Sequence, residues 1–142
     1  MAMIGLFGLT DRLLHRSLDG LAMRQRVTAH NIANVDTPGY KRYRLDFEST
    51  LKAAVSNGSS PKIAGRTTHP RHIPINLHGD LLERPFDLTR STDTAMRNDG
   101  NNVDIEAEMA QITKDQVLYN ALADVARRRY ALLRDAVTEG RS

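Results

Sequence analysis

Residues 105–137 read IEAEMAQITKDQVLYNALADVARRRYALLRDAV. Mostly apolar or small side chains recur in this stretch at alternating spacings of four and three residues, a heptad pattern held over more than four repeats. The positions are Ile105, Met109, Ile112, Gln116, Tyr119, Ala123, Ala126, Tyr130, Leu133 and Val137. Such a pattern is typical of a helix that packs along another helix. It predicts one helix over about residues 104–138, roughly 52 Å long at 1.5 Å per residue.

A second apolar stripe lies beside the first on this helix. Its members are Leu118, Leu122, Val125, Leu132 and Ala136. The two stripes together are wider than the face that one partner helix covers, so we expect the helix to contact more than one neighbour. Apolar surface left exposed in this way usually marks an assembly interface.

Charged residues mark the two ends of this helix, with acidic groups in the first turns and arginines near the end, as the helix dipole favours. They are Asp104, Glu106, Glu108 and Arg127–Arg129. We interpret the carboxylates, together with Asp115, as a solvated helix start rather than a general acid and base pair. The arginines are interpreted as a solvated helix end; a contact with acidic neighbours or lipid headgroups is the alternative.

The chain also begins with an amphipathic pattern, which predicts a helix over about residues 7–35, roughly 43 Å long. Its positions are Phe7, Leu14, Leu18, Leu21, Gln25, Thr28, Ile32 and Val35. Gly20 weakens the helix interior by about 1 kcal/mol relative to alanine, so this helix needs a packing partner. The two long helices are predicted to pair as an antiparallel coiled coil. Thr28 and Gln116 on the seams either fix the register or lie at a wet edge, and both interpretations stay open.

Residues 51–100 hold four of the five prolines. The sequence therefore divides into three parts, in a mainly α fold with an irregular, partly extended or β centre. The parts are an N-terminal helix, residues 1–36; a turn and loop-rich segment, residues 37–100; and a C-terminal heptad helix, residues 101–142. Little regular structure is expected over residues 51–100, with disorder around 56–66. A short edge strand or extended arm is expected at Ile73–Leu77, because Pro74 cannot donate to a sheet.

Residues 31–41, NIANVDTPGYK, contain the most informative local motif. Pro38 disfavours helix at Thr37 and so helps to end the first helix. The TPGY tetrapeptide has Pro and Gly at the two central positions of a type II turn, where Gly39 supplies the positive φ. The side chains expected to bond the backbone groups left open at the helix end are Asn31, Asn34 and Asp36.

This string resembles the Asn-rich, Thr-Pro-Gly-Tyr signature of bacterial flagellar axial proteins of the rod and hook. Further motifs are similar to the proximal-rod family among them, the FlgB family, and the similarity covers nearly the whole chain. These motifs are Asp46-Phe47 followed by Leu51, then Thr68–Pro74, then Asp99–Asp104 leading into the heptads. One departure is His30, where these families often carry Ser or Asn. By the resemblance, the signature positions are Asn31, Ala33, Asn34, Thr37, Pro38, Gly39 and Tyr40.

The resemblance implies a structural subunit of the flagellar basal body. Its terminal helices would form the inner coiled-coil layer of a hollow tube, the proximal part of the periplasmic rod that connects the membrane ring to the distal rod and hook. Its partners would be itself, other rod proteins, proteins of the junction between membrane ring and rod, and the flagellar type III export apparatus. The chain would be exported from the cytoplasm without cleavage of a signal peptide. The signature residues would set where the first helix ends and how the next strand leaves it.

The residues expected at the assembly interface come from the two helical stripes. They are Leu14, Leu18, Leu21, Ile32, Ile105, Met109, Ile112, Tyr119, Ala123, Ala126, Tyr130 and Leu133.

Composition argues against several other classes of function. The chain has 142 residues, with 20 Lys and Arg against 17 Asp and Glu, and no Cys. The missing Cys excludes disulfides, thiolate nucleophiles and Cys-based metal sites. The only dense basic cluster is Arg127–Arg129, so a nucleic-acid partner is not expected. No run of about 20 apolar residues is present to span a membrane.

No catalytic, cofactor-binding or metal-binding residues are predicted, and no small-molecule substrate. His69, His72 and His78 match a zinc site only in number, because the prolines among them impose extended geometry and no HExxH frame is present. Solvated or interface histidines are the better interpretation. Two alternatives to a rod subunit are kept: a non-flagellar helical-hairpin adaptor that binds a partner helix, and, third, an enzyme.

Overall fold

The structure, a computed structural model, describes residues 8–58, 82–92 and 98–139. Two long helices dominate it, with a short helix and two short strands between them. In chain order the elements are α1 (Leu9–Ala33), β1 (Tyr43–Leu45), α2 (Glu48–Gly58), β2 (Leu88–Arg90) and α3 (Ile105–Glu139). The predicted mainly helical fold with a partly extended centre is confirmed.

The centre of the chain is more regular than predicted. The expectation of little regular structure over residues 51–100 is wrong at α2 and β2. The carboxylate of Asp46 accepts the Ser49 amide at 3.3 Å, which caps the start of α2. β2 pairs with β1 in antiparallel register. The disorder expected around residues 56–66 is also wrong at residues 56–58, which belong to α2. Residues 59–66 and the strand expected at Ile73–Leu77 lie outside the described residues.

α1 and α3 pack against each other in opposite directions. Asp11, near the start of α1, pairs with Arg129, near the end of α3. Asn31, near the end of α1, donates to Glu108, near the start of α3, at 3.1 Å. The predicted antiparallel pairing of the two helices is therefore confirmed.

The face of α3 that contacts α1 is rotated away from the predicted heptad seam. Its centre lies at residues seven positions apart, Glu108, Asp115, Leu122 and Arg129. Ile105, Met109 and Tyr130 of the predicted seam are exposed and lie at the edge of the contact. The prediction ranked positions by their apolar side chains. Two of the four central positions are buried carboxylates, which an apolar pattern cannot reveal.

Gly20 provides the space for an aromatic ring of the core. A Cβ built on Gly20 would lie 2.6 Å from the ring of Phe47. Phe47 packs with Leu21 and Leu45 in the buried core, and the edge of its ring meets Phe86 with 6.1 Å between centroids. The helix stability lost through glycine is thus offset by burial of a large apolar side chain.

Candidate functional site

The turn after α1 lies against the loop before α3, and we call residues 31–43 and 99–108 the junction. The amide of Tyr40 donates to the Thr37 carbonyl at 3.2 Å, and Gly39 has φ +70°. These features confirm the predicted type II turn.

A hydrogen bond between backbone groups joins the two sides of the junction. The amide of Gly39 donates to the Asp99 carbonyl at 2.9 Å. Next to Asp99, Gly100 has φ +83°, and a Cβ built there would lie 3.7 Å from the Cα of Gly39, an ordinary contact distance. The positive φ, rather than a lack of space, therefore favours glycine at position 100.

Asn101 caps the end of α1 from the far side of the junction. Its buried side-chain amide donates to the carbonyls of Asn34, Val35 and Thr37, at 3.0, 2.8 and 3.0 Å. Its Oδ1 accepts the Val103 amide at 2.8 Å. The carbonyls of Asn34 and Thr37 also accept backbone amides, so Asn101 adds bonds to the turn after α1, and it does so from more than 60 residues along the chain. No pattern in the sequence indicates this role beyond the Asn pair before the heptads.

Asn31 holds the edge of β1, so the prediction that it bonds the helix end is wrong. Its Oδ1 accepts the Tyr43 amide at 2.9 Å, and its Nδ2 donates to the Tyr43 carbonyl at 2.8 Å. The same Nδ2 donates to Glu108 of α3. One buried side chain thus joins α1, β1 and α3. Asn34 behaves as predicted, since its Nδ2 donates to the His30 carbonyl at 2.8 Å.

His30, the departure from the family pattern, fits the junction through a hydrogen bond. The Tyr40 hydroxyl donates to Asn31 Oδ1 at 3.0 Å and lies 2.9 Å from Nδ1 of His30. Because that hydroxyl has one proton, it bonds both neighbours only when the tautomer of His30 that carries hydrogen on Nδ1 donates to it. Burial raises the pKa of Tyr40 above its ordinary value. The other signature residues that are exposed are Ala33, Thr37, Pro38 and Gly39.

Two carboxylates of α3 are buried, so their interpretation as a solvated helix start is wrong. Asp115 is fully buried and accepts from Arg24 Nη2 at 2.6 Å and from Gln111 Nε2 at 2.8 Å. Burial raises the pKa of Glu108, which the hydrogen bond from Asn31 opposes. Both groups hold α3 against α1 and are engaged within the chain, which favours a structural role over acid and base chemistry.

The arginine run divides between the seam and the surface. Arg129 is half-buried against Asp11, so the interpretation as a solvated end is wrong for this residue. Arg127 and Arg128 are exposed. The seam positions left open also divide. Thr28 is buried within the contact, whereas Gln116 is exposed at its edge, 3.5 Å from Gln25.

The residues expected at the assembly interface differ in how far they are exposed. Leu14 and Leu21 are buried. The half-buried members are Leu18, Ile32, Ile112, Tyr119, Ala123, Ala126 and Leu133. The exposed members are Ile105, Met109 and Tyr130. The second predicted stripe is also exposed at Leu118, Val125 and Leu132, and we call these three residues the outer stripe.

Sites for small ligands are poorly developed. A cleft of about 350 Å³ lies between α1, β1 and α3, where Arg24 and Glu108 already bond other side chains of the chain. Within residues 8–58, 82–92 and 98–139, no group of three or more His, Asp or Glu is arranged to hold a metal ion. In the same ranges, no helix is long and apolar enough to cross a membrane. His69, His72 and His78 lie outside the described residues.

Similarity to known proteins settles the family. A family model described as "Flagella basal body rod protein" matches residues 18–41, which include the signature turn. The flagellar basal body rod protein FlgB of Borrelia hermsii is 36% identical over 126 residues, which cover 86% of this chain and 90% of that protein. The chain belongs to the FlgB family. FlgB of Bacillus subtilis is 28% identical over 97% of this chain and 100% of its own length. FlgB of Escherichia coli is 34% identical over 76% of this chain and 78% of its own length.

Membership of the FlgB family confirms the resemblance noted in the sequence. The family is one of flagellar rod proteins, so the chain is a structural component of the basal body rod and not an enzyme. The matched residues 18–41 begin within α1 and end beyond the type II turn. They contain the Asn31 side chain that ties α1 to β1 and α3.

Proposed function

We propose that this FlgB-family chain polymerises through its terminal helices into the proximal part of the periplasmic rod. The observation that carries the proposal is the surface of α3, which holds most of the exposed large hydrophobic side chains among the described residues. A helix whose apolar residues remain exposed after it has paired with α1 requires further partners.

The two helices have different tasks in this proposal. α1 has its apolar side chains largely covered by α3, β1 and the core around Phe47. α3 supplies the contacts between subunits through the outer stripe and through Ile105, Met109 and Tyr130. Leu14 and Leu21 then act indirectly, because they hold α3 in place rather than touch a neighbour.

The junction would act within the subunit. Asn31 and Asn101 tie the end of α1 to the start of α3, which supports a role for the signature in fixing how the two helices enter the assembly. The exposed signature residues, Pro38 and Gly39 among them, are then available to a neighbouring subunit. We expect the partners to be other copies, other rod proteins and proteins of the junction between membrane ring and rod. Export by the flagellar type III apparatus, without signal cleavage, is part of the same proposal and rests on the family.

Deletion and complementation test the proposal. In a strain that lacks its own copy, the full chain should restore swimming and rods seen by electron microscopy of basal bodies. A chain without residues 104–142 should leave the membrane ring without a rod. Normal rods with the shortened chain would contradict the proposal and favour an adaptor.

A variant of the turn distinguishes a rod subunit from an adaptor without removing a helix. Replacing Pro38-Gly39 by Ala-Ala places alanine at φ +70°. This conformation strains the backbone at the residue whose amide bonds the Asp99 carbonyl. A rod subunit should then lose assembly and motility, whereas an adaptor should tolerate the change. Arg26→Ala, on the exposed side of α1, is the matched control and should swim normally.

A further inference from the structure

The ion pairs along α3 leave one arginine without a partner. Arg127 pairs with Asp124 at 3.0 Å and Arg129 with Asp11. Arg134 pairs with Asp135 at 3.3 Å. Arg128 is exposed and has no ion pair within residues 8–58, 82–92 and 98–139. Among the described residues, Arg128 is therefore the one arginine in the second half of α3 whose charge no acidic side chain balances.

The start of α3 has an exposed carboxylate that no basic group balances in the part of the chain that the structure describes. Asp104 accepts the amides of Glu106 and Ala107 as a helix cap, and Glu108 is buried. Glu106 itself is exposed, and in the described part of the chain no basic group pairs with it.

Each of these charges lies beside exposed apolar side chains. Val125 and Leu132, three and four positions from Arg128, are 53% and 70% exposed. We call these three residues the basic patch. Met109, three positions from Glu106, is 54% exposed, and Ile105, four positions from Met109, is 46% exposed; these three residues form the acidic patch. Residues three or four apart are neighbours on a helix surface, so each patch is a small apolar area with a single charge.

The two patches cannot meet within one chain. They lie about 33 Å apart along α3, because 22 residues of continuous helix separate Glu106 from Arg128. If a patch met its own copy, like charges would face each other, which opposes association.

We propose that the acidic patch of one subunit packs on the basic patch of the next copy of this chain. This inference rests on the proposed function and adds the contact surfaces and their polarity. A contact between two different surfaces is head-to-tail and, when it does not close into a ring, generates an open helical assembly. A single exposed ion pair is weak, so the apolar side chains supply most of the contact and the charges select the partner surface.

Engineered cysteines test the contact in assembled rods, since the chain has no cysteine of its own. Glu106→Cys and Arg128→Cys are made on separate copies and expressed together in a strain that lacks the native protein. After mild oxidation, basal bodies should give a covalent dimer that disappears on reduction. Each variant alone should give only monomer, and both cysteines on one copy should give a ladder of larger species. The matched control is Arg134→Cys with Glu106→Cys, because position 134 is exposed on a different side of α3; it should give monomer.

Several outcomes would overturn the inference. A dimer from either single variant indicates that a patch meets its own copy. Motile cells whose rods give no mixed dimer place the contact elsewhere, while the proposed function stands. If the unmodified full chain builds no rod, the proposed function itself fails.

A charge exchange covers the case in which a cysteine variant fails to assemble. Glu106→Arg and Arg128→Glu should each reduce swimming, because each places like charges at the contact. The double variant should restore it, and circular dichroism should show the same helix content in all three. A double variant that swims no better than the single ones would contradict the proposed pairing.

Discussion

The junction and the outer stripe of α3 differ in chemistry and in exposure. At the junction, buried side chains such as Asn31 and Asn101 make several hydrogen bonds each to backbone groups and side chains of the same chain. Along the outer stripe, Val125 and Leu132 are exposed and have no such bonds. Directional polar bonds fix one geometry, whereas exposed apolar side chains gain free energy only when another surface covers them. Changes at the junction should therefore reduce the stability of the subunit, and changes at the stripe should reduce assembly.

The largest loss of subunit stability is expected at the buried ion pair. Arg24→Ala leaves Asp115 buried without its cation, and breaking such a pair from one side costs about 3 to 5 kcal/mol. Urea unfolding followed by circular dichroism measures the change. Arg127→Ala, which breaks an exposed pair on α3, is the control and should cost less than about 1 kcal/mol. Equal losses of unfolding free energy in the two variants would show that a buried ion pair stabilises this chain no more than an exposed one.

A smaller loss is expected at the cap of α1. Asn101→Ala removes the side-chain donor to three carbonyls; one hydrogen bond contributes about 0.5 to 1.5 kcal/mol, so we expect a total loss of about 1 to 3 kcal/mol. The same unfolding experiment tests it, with Asn120→Ala on the exposed side of α3 as control. If Asn101→Ala unfolds at the urea concentration of the unchanged chain, the junction does not hold the two helices together.

Gly20→Ala has two opposite effects of similar size on the free energy of unfolding. Alanine favours the helix by about 1 kcal/mol, but its Cβ would meet the Phe47 ring, and overpacking costs about 1 to 3 kcal/mol. We expect a net loss of about 1 kcal/mol in the free energy of unfolding. Phe47→Leu in the same chain should reduce that loss. A more stable Gly20→Ala variant would mean that the ring moves without cost.

The smallest effect is a dependence on pH. Burial raises the pKa of Glu108 in the folded chain, so the folded state binds this proton more readily than the unfolded state. Stability should fall as the pH rises from the ordinary carboxyl pKa through the raised one. Glu108→Gln removes this contribution, so the difference in unfolding free energy between variant and unchanged chain should grow over that interval. A difference that stays constant with pH would contradict the assignment.

Local sequence patterns predicted the features that depend on neighbouring residues. The Pro38-Gly39 pair predicted a type II turn, because the conformation of each residue follows from its own covalent structure. The amphipathic pattern of the N-terminal segment and the heptads of the C-terminal segment predicted the two long helices that pair with each other. Gly20 was interpreted only as a weak helix former, since nothing nearby in sequence indicates that the ring of Phe47 lies on it.

The features that the sequence did not predict depend on contacts between distant residues. Asn101 caps carbonyls more than 60 residues away, and no spacing within one segment indicates such a bond. The true seam of α3 is centred on residues that include buried Glu108 and Asp115, whose charge favours exposure until Asn31 and Arg24 are known to face them. Exposed apolar residues were correctly expected on α3, but the pattern placed some of them on the wrong side of the helix.

Electron microscopy of basal bodies with a changed outer stripe is the most direct test of the division between the two regions. The variant carries Val125→Gln and Leu132→Gln, which keep the side chains long and remove most of their apolar character. We expect unchanged thermal unfolding of the purified subunit and basal bodies that have the membrane ring but no rod. Normal rods in this variant, or a subunit that no longer folds, would contradict the division between a junction that stabilises the subunit and a stripe that assembles it.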